Sequence, residues 1–123
     1  MEFHIVDDED VVREVLVESV IAFGYSTRAF KDARAYLAYI GSPEFKHPVG
    51  LITDMQMPGM DGLALIKEVR ARFPYLRIAL VSAHIGHTTK PEVLRQVCYY
   101  LHKPFRSHEL EKVLRLFVVR CGI

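Results

Sequence analysis

Hydrophobic residues along the chain are arranged in short, nearly continuous runs that alternate with longer stretches of helical spacing. The runs lie at residues 3–6, 26–30, 49–53, 77–82 and 97–101. Between them, and after the last one, apolar residues recur every three or four positions, as on one face of an α-helix. Apolar strands that alternate with helices are typical of a parallel sheet covered on both faces. The pattern therefore predicts an α/β domain with a doubly wound, five-stranded parallel sheet of the (βα)5 type.

Turn and cap residues set the limits of the first two predicted helices. The first helix is expected over about residues 10–23, and Gly24 ends it. Asp32 can cap the second helix, which is followed by a loop containing glycine and proline. The residues expected to face the sheet are Val12, Val15, Leu16, Val20 and Phe23 in the first helix and Ala33, Tyr36, Leu37 and Ile40 in the second.

The remaining helices differ in how clearly the sequence marks them. Asp61 is expected to cap the third helix, which Pro74 ends. The fourth helix is predicted to be short, from about Pro91 to Gln96, because proline suits a first helical position. Ser107 is expected to cap the last helix. The apolar face of that helix comprises Leu110, Val113, Leu114, Phe117, Val118 and Cys121.

Composition limits the class of protein. The chain has 123 residues, 50% of them hydrophobic, which is enough for one domain with a buried core. No apolar stretch approaches the ~18 residues of a membrane span, and the N-terminus does not resemble a signal peptide. Cys98, in a predicted strand, and Cys121 have no metal-ligand spacing, which indicates reduced structural thiols. We therefore expect a cytoplasmic protein with no membrane partner.

Charge is unevenly distributed along the chain, although the net charge is only +1. Residues 1–62 contain eleven acidic and five basic residues, whereas residues 84–123 contain three acidic and seven basic residues. The basic part forms either a solvated face or a surface for a partner. No predicted helix carries the dense arginine and lysine stripe that phosphate contacts require, so we do not expect direct binding to nucleic acid.

Acidic residues follow two of the predicted strands, at the point where each strand ends. Asp7 and Asp8 follow the first run, Asp54 follows the third, and Lys103 follows the fifth. Parallel strands bring their carboxyl ends to one edge, where open α/β sheets bind ligands. Clustered carboxylates stay ionised only near a cation, and oxygen ligands suit a hard ion such as Mg²⁺. The sequence therefore predicts a magnesium site beside a lysine.

Four sequence motifs resemble those of the receiver domain of two-component response regulators, a chemotaxis-regulator-like domain with a flavodoxin-like fold. They are Val6-Asp-Asp-Glu9, the stretch from Thr53 to Gly62, Leu80-Val-Ser-Ala83 and Tyr100-Leu-His-Lys-Pro-Phe105. The resemblance covers the whole chain. It implies a phosphoacceptor signalling domain rather than an enzyme, with only self-phosphorylation and slow self-dephosphorylation.

The resemblance assigns roles to the acidic residues. Asp54 would be the phosphorylated nucleophile, and a sensor histidine kinase would be the phosphodonor. Asp8 and Asp54 would bind Mg²⁺ directly, whereas Asp7 would act mostly through metal-bound water. The backbone carbonyl of Gln56 would supply a further metal ligand.

The resemblance also assigns the groups that receive the phosphoryl oxygens. The Lys103 ammonium would neutralise their charge, and the Ser82 hydroxyl would donate a hydrogen bond to one of them. The backbone amides of Met55 and Ala83 would assist. In this family the bond between the lysine and the following Pro104 is often cis.

Tyr100 occupies the position of the family's conformational switch aromatic. Phosphorylation would draw the Ser82 hydroxyl inward and let the ring rotate, which would alter the surface of the fourth helix, fifth strand and fifth helix. On that surface Leu116 and Val119 lie among basic residues. The implied partner is an output domain, or a second copy in a homodimer, and the implied output is transcription. The chain would be one receiver domain, either alone or as part of a longer regulator.

Two alternative functions remain open at this point. Asp8 and Asp10 fit the Asp-x-Asp-x-Val signature of haloacid-dehalogenase-type phosphohydrolases, in which the first aspartate is the nucleophile. A degenerate receiver would keep the fold and act as an interaction module without phosphorylation. The output face also departs from the family pattern, since Gln96 and Val97 replace a small Gly-Ala pair and the fourth helix is short.

Overall fold

The parallel sheet predicted from the sequence is present. The computed structural model describes residues 1–55, 57, 59–60, 62–83, 95 and 97–121. Within these residues, parallel strands form a five-stranded sheet in the order β2-β1-β3-β4-β5. The strands are β1 (Glu2–Val6), β2 (Ser26–Phe30), β3 (Gly50–Asp54), β4 (Ile78–Ser82) and β5 (Tyr99–His102). The doubly wound α/β fold is therefore confirmed.

Helices cover both faces of the sheet. They are α1 (Asp10–Ala22), α2 (Ala33–Ile40), α3 (Gly62–Arg72) and the C-terminal helix (Ser107–Cys121). The residues of α2 and α3 share one hydrophobic cluster with β3 and β4, and those of α1 and the C-terminal helix share another with β1 and β5. Apart from Arg95, the predicted fourth helix lies outside the described residues, as does the predicted cap at Asp61. None of the described helices is long and apolar enough to span a membrane.

Two of the predicted helix limits are confirmed in atomic detail. The Asp32 carboxylate accepts a hydrogen bond from the Ala35 backbone N–H at 2.8 Å, which caps α2. Gly24, just beyond α1, has a φ of 97°, a left-handed conformation that glycine adopts without steric cost. The Lys103–Pro104 peptide bond is cis, as the family resemblance implies.

The C-terminal part of the chain requires two corrections. The fifth strand begins at Tyr99 rather than at residue 97 and extends to His102. Cys98 therefore precedes the strand. It is a free thiol, as predicted, but it is exposed rather than part of the strand. The last helix already begins at Ser107, so Ser107 is not its cap. Instead, the side chain of Glu109 accepts a hydrogen bond from the Arg106 backbone N–H at 3.0 Å.

A third correction concerns α1. Leu16 and Val20 face the core, but Val15 is 47% exposed. Val15 and Val11, four residues apart, lie on the same side of the helix and line a cavity of about 410 Å³ together with Pro104 and Phe105. Both sides of α1 follow helical spacing in the sequence, so the pattern alone does not separate the cavity side from the side that faces the core.

A buried histidine in β1 was not anticipated from the sequence. His4 is fully buried, and its Nδ1 lies 2.9 Å from the Tyr36 hydroxyl. Its Nε2 lies 3.2 Å from Glu2, and the rings of Phe30 and Tyr39 pack around it. Burial lowers the pKa of His4, against the raising effect of Glu2, while burial raises the pKa of Tyr36.

Candidate functional site

The strand order places the predicted site residues at one edge of the sheet. Asp7 follows β1, Asp54 ends β3, Ser82 ends β4 and Lys103 follows β5. Because β3 lies between β1 and β4, Asp54 is central in this set. The register aligns Val6 with Thr53 and Asp54 with Val81. Asp7 and Asp54 therefore lie at the same height along neighbouring strands, with Ser82 one residue beyond on β4. The prediction that these strand ends meet is confirmed.

Lys103 contacts three carboxylates at this edge. Its Nζ lies 3.2 Å from Asp7 and 3.3 Å from Asp54. A third oxygen, from Glu9, lies 3.7 Å away. The side chains of Asp7 and Asp54 are only 1% and 6% exposed, whereas that of Glu9 is 61% exposed. The lysine therefore compensates buried negative charge that would otherwise destabilise the folded protein.

The pKa shifts reflect this balance between burial and pairing. Burial raises the pKa of Asp7, although the Glu9 backbone N–H and Lys103 act in the opposite direction. Burial by itself would lower the pKa of Lys103, but the charges of Asp54 and Asp7 outweigh it and raise the pKa. Lys103 is therefore a cation at neutral pH, fixed beside Asp54.

The arrangement of the acidic groups fits a hard cation. One oxygen each from Asp7, Glu9 and Asp54 lies within 4.8 Å of the others, the only such group among the described residues. Three carboxylate oxygens are the donor type that Mg²⁺ prefers. Asp8, although adjacent, is not in this group, and Gln56 lies outside the described residues. Glu9 was not singled out by sequence reasoning, although it continues the acidic run after Asp8.

Groups on the phosphate side of the predicted site lie at the ends of β3 and β4. Ser82 is 1% exposed, and its carbonyl accepts a hydrogen bond from the Lys103 backbone N–H at 3.0 Å. Ala83 follows directly and is exposed. The Met55 backbone N–H donates to the Val81 carbonyl at 3.2 Å, so in this conformation it belongs to the pairing of β3 with β4.

Gly62 allows α3 to begin directly against the Asp54 backbone. Its N–H donates to the Met55 carbonyl at 2.7 Å. A Cβ atom at this position would clash with the Asp54 carbonyl oxygen and lie 2.7 Å from the Met55 Cα. Because Gly62 has no side chain, the start of α3 can pack directly against the backbone of Asp54 and Met55.

Tyr100 lies on β5 and is 37% exposed. Its backbone is aligned with Leu80 of β4, and the residue lines a cavity of about 390 Å³. His108, Lys112 and Leu116 of the C-terminal helix line the same cavity. Two of the residues predicted for the output face, Tyr100 and Leu116, therefore lie together.

Comparison with known proteins gives a consistent result. The model of the response regulator receiver domain family matches residues 3–115. DNA-binding transcriptional regulator NtrC of Salmonella typhimurium is 35% identical over 106 residues, which are 85% of this chain and 22% of NtrC. The chain thus spans about a fifth of the length of this relative.

Solved structures agree in fold and sequence. Response regulator protein TrrA from Thermotoga maritima, in complex with Mg²⁺ and BeF, has a TM-score of 0.82 and 26% identity, covering 94% of this chain and 97% of TrrA. NtrX from Brucella abortus has a TM-score of 0.85 and 27% identity, covering 97% of this chain and 27% of NtrX. Both similarities extend over almost the whole chain.

Proposed function

The chain belongs to the response regulator receiver domain family, and on that basis we propose that Asp54 accepts a phosphoryl group from a sensor histidine kinase. The observation that carries the proposal is the contact of Lys103 with the buried Asp54 carboxylate at 3.3 Å. An Asp54 oxygen would bond to phosphorus while the phosphorus–nitrogen bond of the kinase phosphohistidine breaks. The products are an acyl phosphate and a free imidazole, with the phosphoryl charge next to the Lys103 ammonium.

Mg²⁺ is the proposed cofactor, because the site offers an all-oxygen donor set. When bound, it would neutralise the charge of the incoming phosphoryl group. We propose Asp54, Asp8, Asp7 and the Gln56 backbone carbonyl as the groups that hold it, with Asp7 acting through water. Glu9 competes with Asp8 for this assignment, since its carboxylate is the one that lies near Asp7 and Asp54.

Paired variants distinguish the two acidic residues. We expect Asp8→Asn to weaken Mg²⁺ binding more than Glu9→Gln, because the Glu9 side chain is 61% exposed and loses more freedom on binding. Calorimetric titration of the metal-free protein measures both affinities. A larger loss in Glu9→Gln would assign the metal ligand to Glu9, and Asp10→Asn, which changes an 80% exposed carboxylate, is the control.

Two polar groups support binding of the transferred phosphoryl group. The buried Ser82 would donate its hydroxyl hydrogen to a phosphoryl oxygen, and the Ala83 amide would assist from the next position. The Met55 amide could do the same only after giving up its bond to the Val81 carbonyl. Such an exchange would link phosphorylation to the pairing of β3 with β4.

Mass spectrometry of the intact protein tests the phosphoacceptor directly. With Mg²⁺ and a small phosphodonor, the protein should gain the mass of one phosphoryl group, and a chelator should prevent the gain. Asp54→Asn should abolish labelling, whereas Asp10→Asn should not. Labelling that persists in Asp54→Asn and maps to Asp8 would support the phosphohydrolase alternative. Absence of labelling in the parent protein would support the phosphorylation-independent module.

The position of an apolar surface next to the site suggests how the kinase docks. Val11, Val15, Pro104 and Phe105 line the 410 Å³ cavity, whose wall also includes Lys103. A donor histidine can reach Asp54 only if its helix packs beside this edge, and exposed valines suit an apolar helix face. We therefore place the docking surface for the kinase on α1 and the segment after β5.

Val15→Asp tests the docking surface without altering the phosphoacceptor. Transfer from a panel of phosphorylated sensor kinases should be lost, whereas labelling by a small phosphodonor should persist. Ile21→Asp changes another exposed apolar residue of α1, 55% exposed, and should leave both reactions intact. Equal loss in the two variants would argue against the assigned surface.

The output proposed for the phosphorylated domain is transcription. NtrC is named a DNA-binding transcriptional regulator, and FixJ of Azorhizobium caulinodans, 31% identical, a transcriptional regulatory protein. The domain would act in the cytoplasm as a switch rather than as an enzyme with a separate substrate. Phosphorylation would shift Ser82 and Tyr100 and so alter the face formed by β5, the C-terminal helix and the predicted fourth helix.

A further inference from the structure

A cavity with several arginines lies at the end of the sheet opposite Asp54. It occupies about 360 Å³ between the end of α3 and the segments that precede β4 and β5. Arg70, Arg77 and Arg95 line it, together with Tyr75 and the exposed Cys98. No acidic side chain is among its lining residues in the part of the chain that the structure describes. The cavity therefore concentrates positive charge away from the phosphoacceptor edge.

Hydrogen bonds orient Arg70 in the lining of this cavity. Its Nη1 donates hydrogen bonds to the carbonyl oxygens of Pro74 at 2.9 Å and Leu76 at 2.5 Å. The side chain is half-buried, and burial lowers the pKa of its guanidinium. A partly buried cation is stabilised by an anion that binds near it. A guanidinium that is already oriented also loses little freedom when an anion binds.

Tyr75 places an exposed aromatic ring at the same cavity. It is 95% exposed, more than any other large hydrophobic side chain in the described part of the chain. An aromatic ring in solvent offers a face on which a planar heterocycle can stack, and such stacking is largely independent of the base. Neighbouring arginines supply the complementary group, since they pair with phosphate through two hydrogen bonds at once.

The overall charge distribution favours the same type of ligand. At the opposite end, Asp7, Glu9 and Asp54 surround the single cation Lys103, so that edge is locally negative, whereas the cavity at this end is locally positive. An anion is repelled from the first end and attracted to the second, and this field raises its concentration near the arginines. The volume is at the lower end of the range for small-molecule sites, which suits a compact ligand better than an extended acidic peptide.

We propose that this cavity binds a nucleoside phosphate, with its phosphate groups at Arg77 and Arg95 beside Arg70 and its base stacked on Tyr75. The site is separate from the phosphoacceptor edge and does not depend on it. A ligand there contacts the end of α3 and the start of β4, the strand whose other end carries Ser82. Binding would therefore act on the same strand as phosphorylation, but from its opposite end.

Calorimetry with adenosine diphosphate tests the proposal. The titration uses the whole chain at low salt with a chelator, so that no metal-bound nucleotide can occupy the acidic edge. The double variant Arg77→Ala/Arg95→Ala should bind about tenfold more weakly or worse, because each arginine contributes charge-assisted hydrogen bonds. Lys112→Ala/Arg115→Ala removes the same charge from the C-terminal helix and should bind like the parent protein. Equal weakening in both double variants would overturn the site, as would absence of binding by the parent.

A second comparison separates the nucleoside from its phosphates. Tyr75→Ala should weaken adenosine diphosphate binding about tenfold while leaving pyrophosphate binding unchanged. Pyrophosphate that binds the parent protein as tightly as the nucleotide would refute the stacking role, and tighter binding of an acidic peptide would refute the nucleotide class. Alkylation of Cys98, mapped by peptide mass, should slow when nucleotide is bound. Unchanged alkylation at saturating nucleotide would place the ligand elsewhere.

Discussion

The ammonium nitrogen of Lys103 lies 3.3 Å from a carboxylate oxygen of Asp54. The lysine follows the edge strand β5, whereas the aspartate ends the central strand β3, so the contact spans two strand positions of the sheet. The same ammonium group also compensates Asp7. One side chain therefore stabilises the acidic edge in the absence of metal and lies where a phosphoryl group on Asp54 would be.

Replacing this lysine should cost stability as well as phosphorylation. Lys103→Met keeps most of the side-chain length but leaves Asp7 and Asp54 buried without their cation. We expect a loss of about 2 kcal/mol in the free energy of unfolding, below the range for fully buried pairs because Lys103 is 16% exposed. Urea denaturation of the metal-free protein measures the loss. The exposed Lys67 in α3 provides the control, since Lys67→Met should change stability by less than about 0.5 kcal/mol.

Stability should fall in mild acid because of His4. Burial lowers the pKa of His4 in the folded protein from its ordinary value of 6.5, so the unfolded chain binds the proton more tightly. The stabilisation is complete above pH 6.5 and is lost as the pH falls towards the folded value, with a slope of at most about 1.4 kcal/mol per pH unit.

Urea denaturation between pH 8 and pH 5 measures this slope, and His4→Gln should reduce it. Asp7 contributes with the opposite sign, since its raised pKa gives stability that is lost as the pH rises. The difference between the parent and the variant cancels that contribution. His102→Gln changes an exposed imidazole on β5, which lies three strand positions from β1, and is the control. An identical slope in His4→Gln would show that His4 does not titrate with folding.

Gly62→Ala should damage the site through the backbone. The added methyl group would meet the Asp54 carbonyl oxygen and the Met55 Cα, both of which are main-chain atoms that cannot rotate away. We expect a loss of about 2 kcal/mol in stability and slower labelling of Asp54. Gly41→Ala is the matched control, because the nearest atom to its added Cβ would be the Leu37 carbonyl oxygen at 3.6 Å. Thermal unfolding measures the stability, and intact mass measures the labelling of Asp54. Behaviour like the parent in both variants would contradict the prediction.

Leu116→Asp should block association without preventing phosphorylation. Leu116 is 36% exposed and lines the cavity next to Tyr100, with Lys112 nearby. With Mg²⁺ and beryllofluoride, a phosphate mimic, the parent should dimerise or bind its output domain, and the variant should not. Light scattering measures the association. Association that is equal in the two proteins would rule out this face, and loss of Asp54 labelling would show that the substitution damages the fold.

The sequence alone determined the number and order of the strands, the limits of α1 and α2, and four of the residues at the acidic edge. A run of apolar residues predicts a strand, and alternation of strands with helices predicts parallel pairing, so Asp7, Asp54, Ser82 and Lys103 could be assigned to one edge. The cap at Asp32 was equally accessible, because that hydrogen bond is local. Residues whose role depends on their own strand or turn are predictable from sequence.

Only the tertiary structure decided which of several neighbouring residues in a sequence pattern is buried or lies at the site. Periodicity placed Val15 in the core, yet it faces a cavity shared with Phe105. The acidic run offered Asp7 and Asp8, and the fold adds Glu9, whose carboxylate lies near those of Asp7 and Asp54. His4 resembles any polar residue in a strand until α2 brings Tyr36 within 2.9 Å of it. These outcomes depend on contacts between segments distant in sequence, and the packing energies that select them are not carried by any single stretch of the chain.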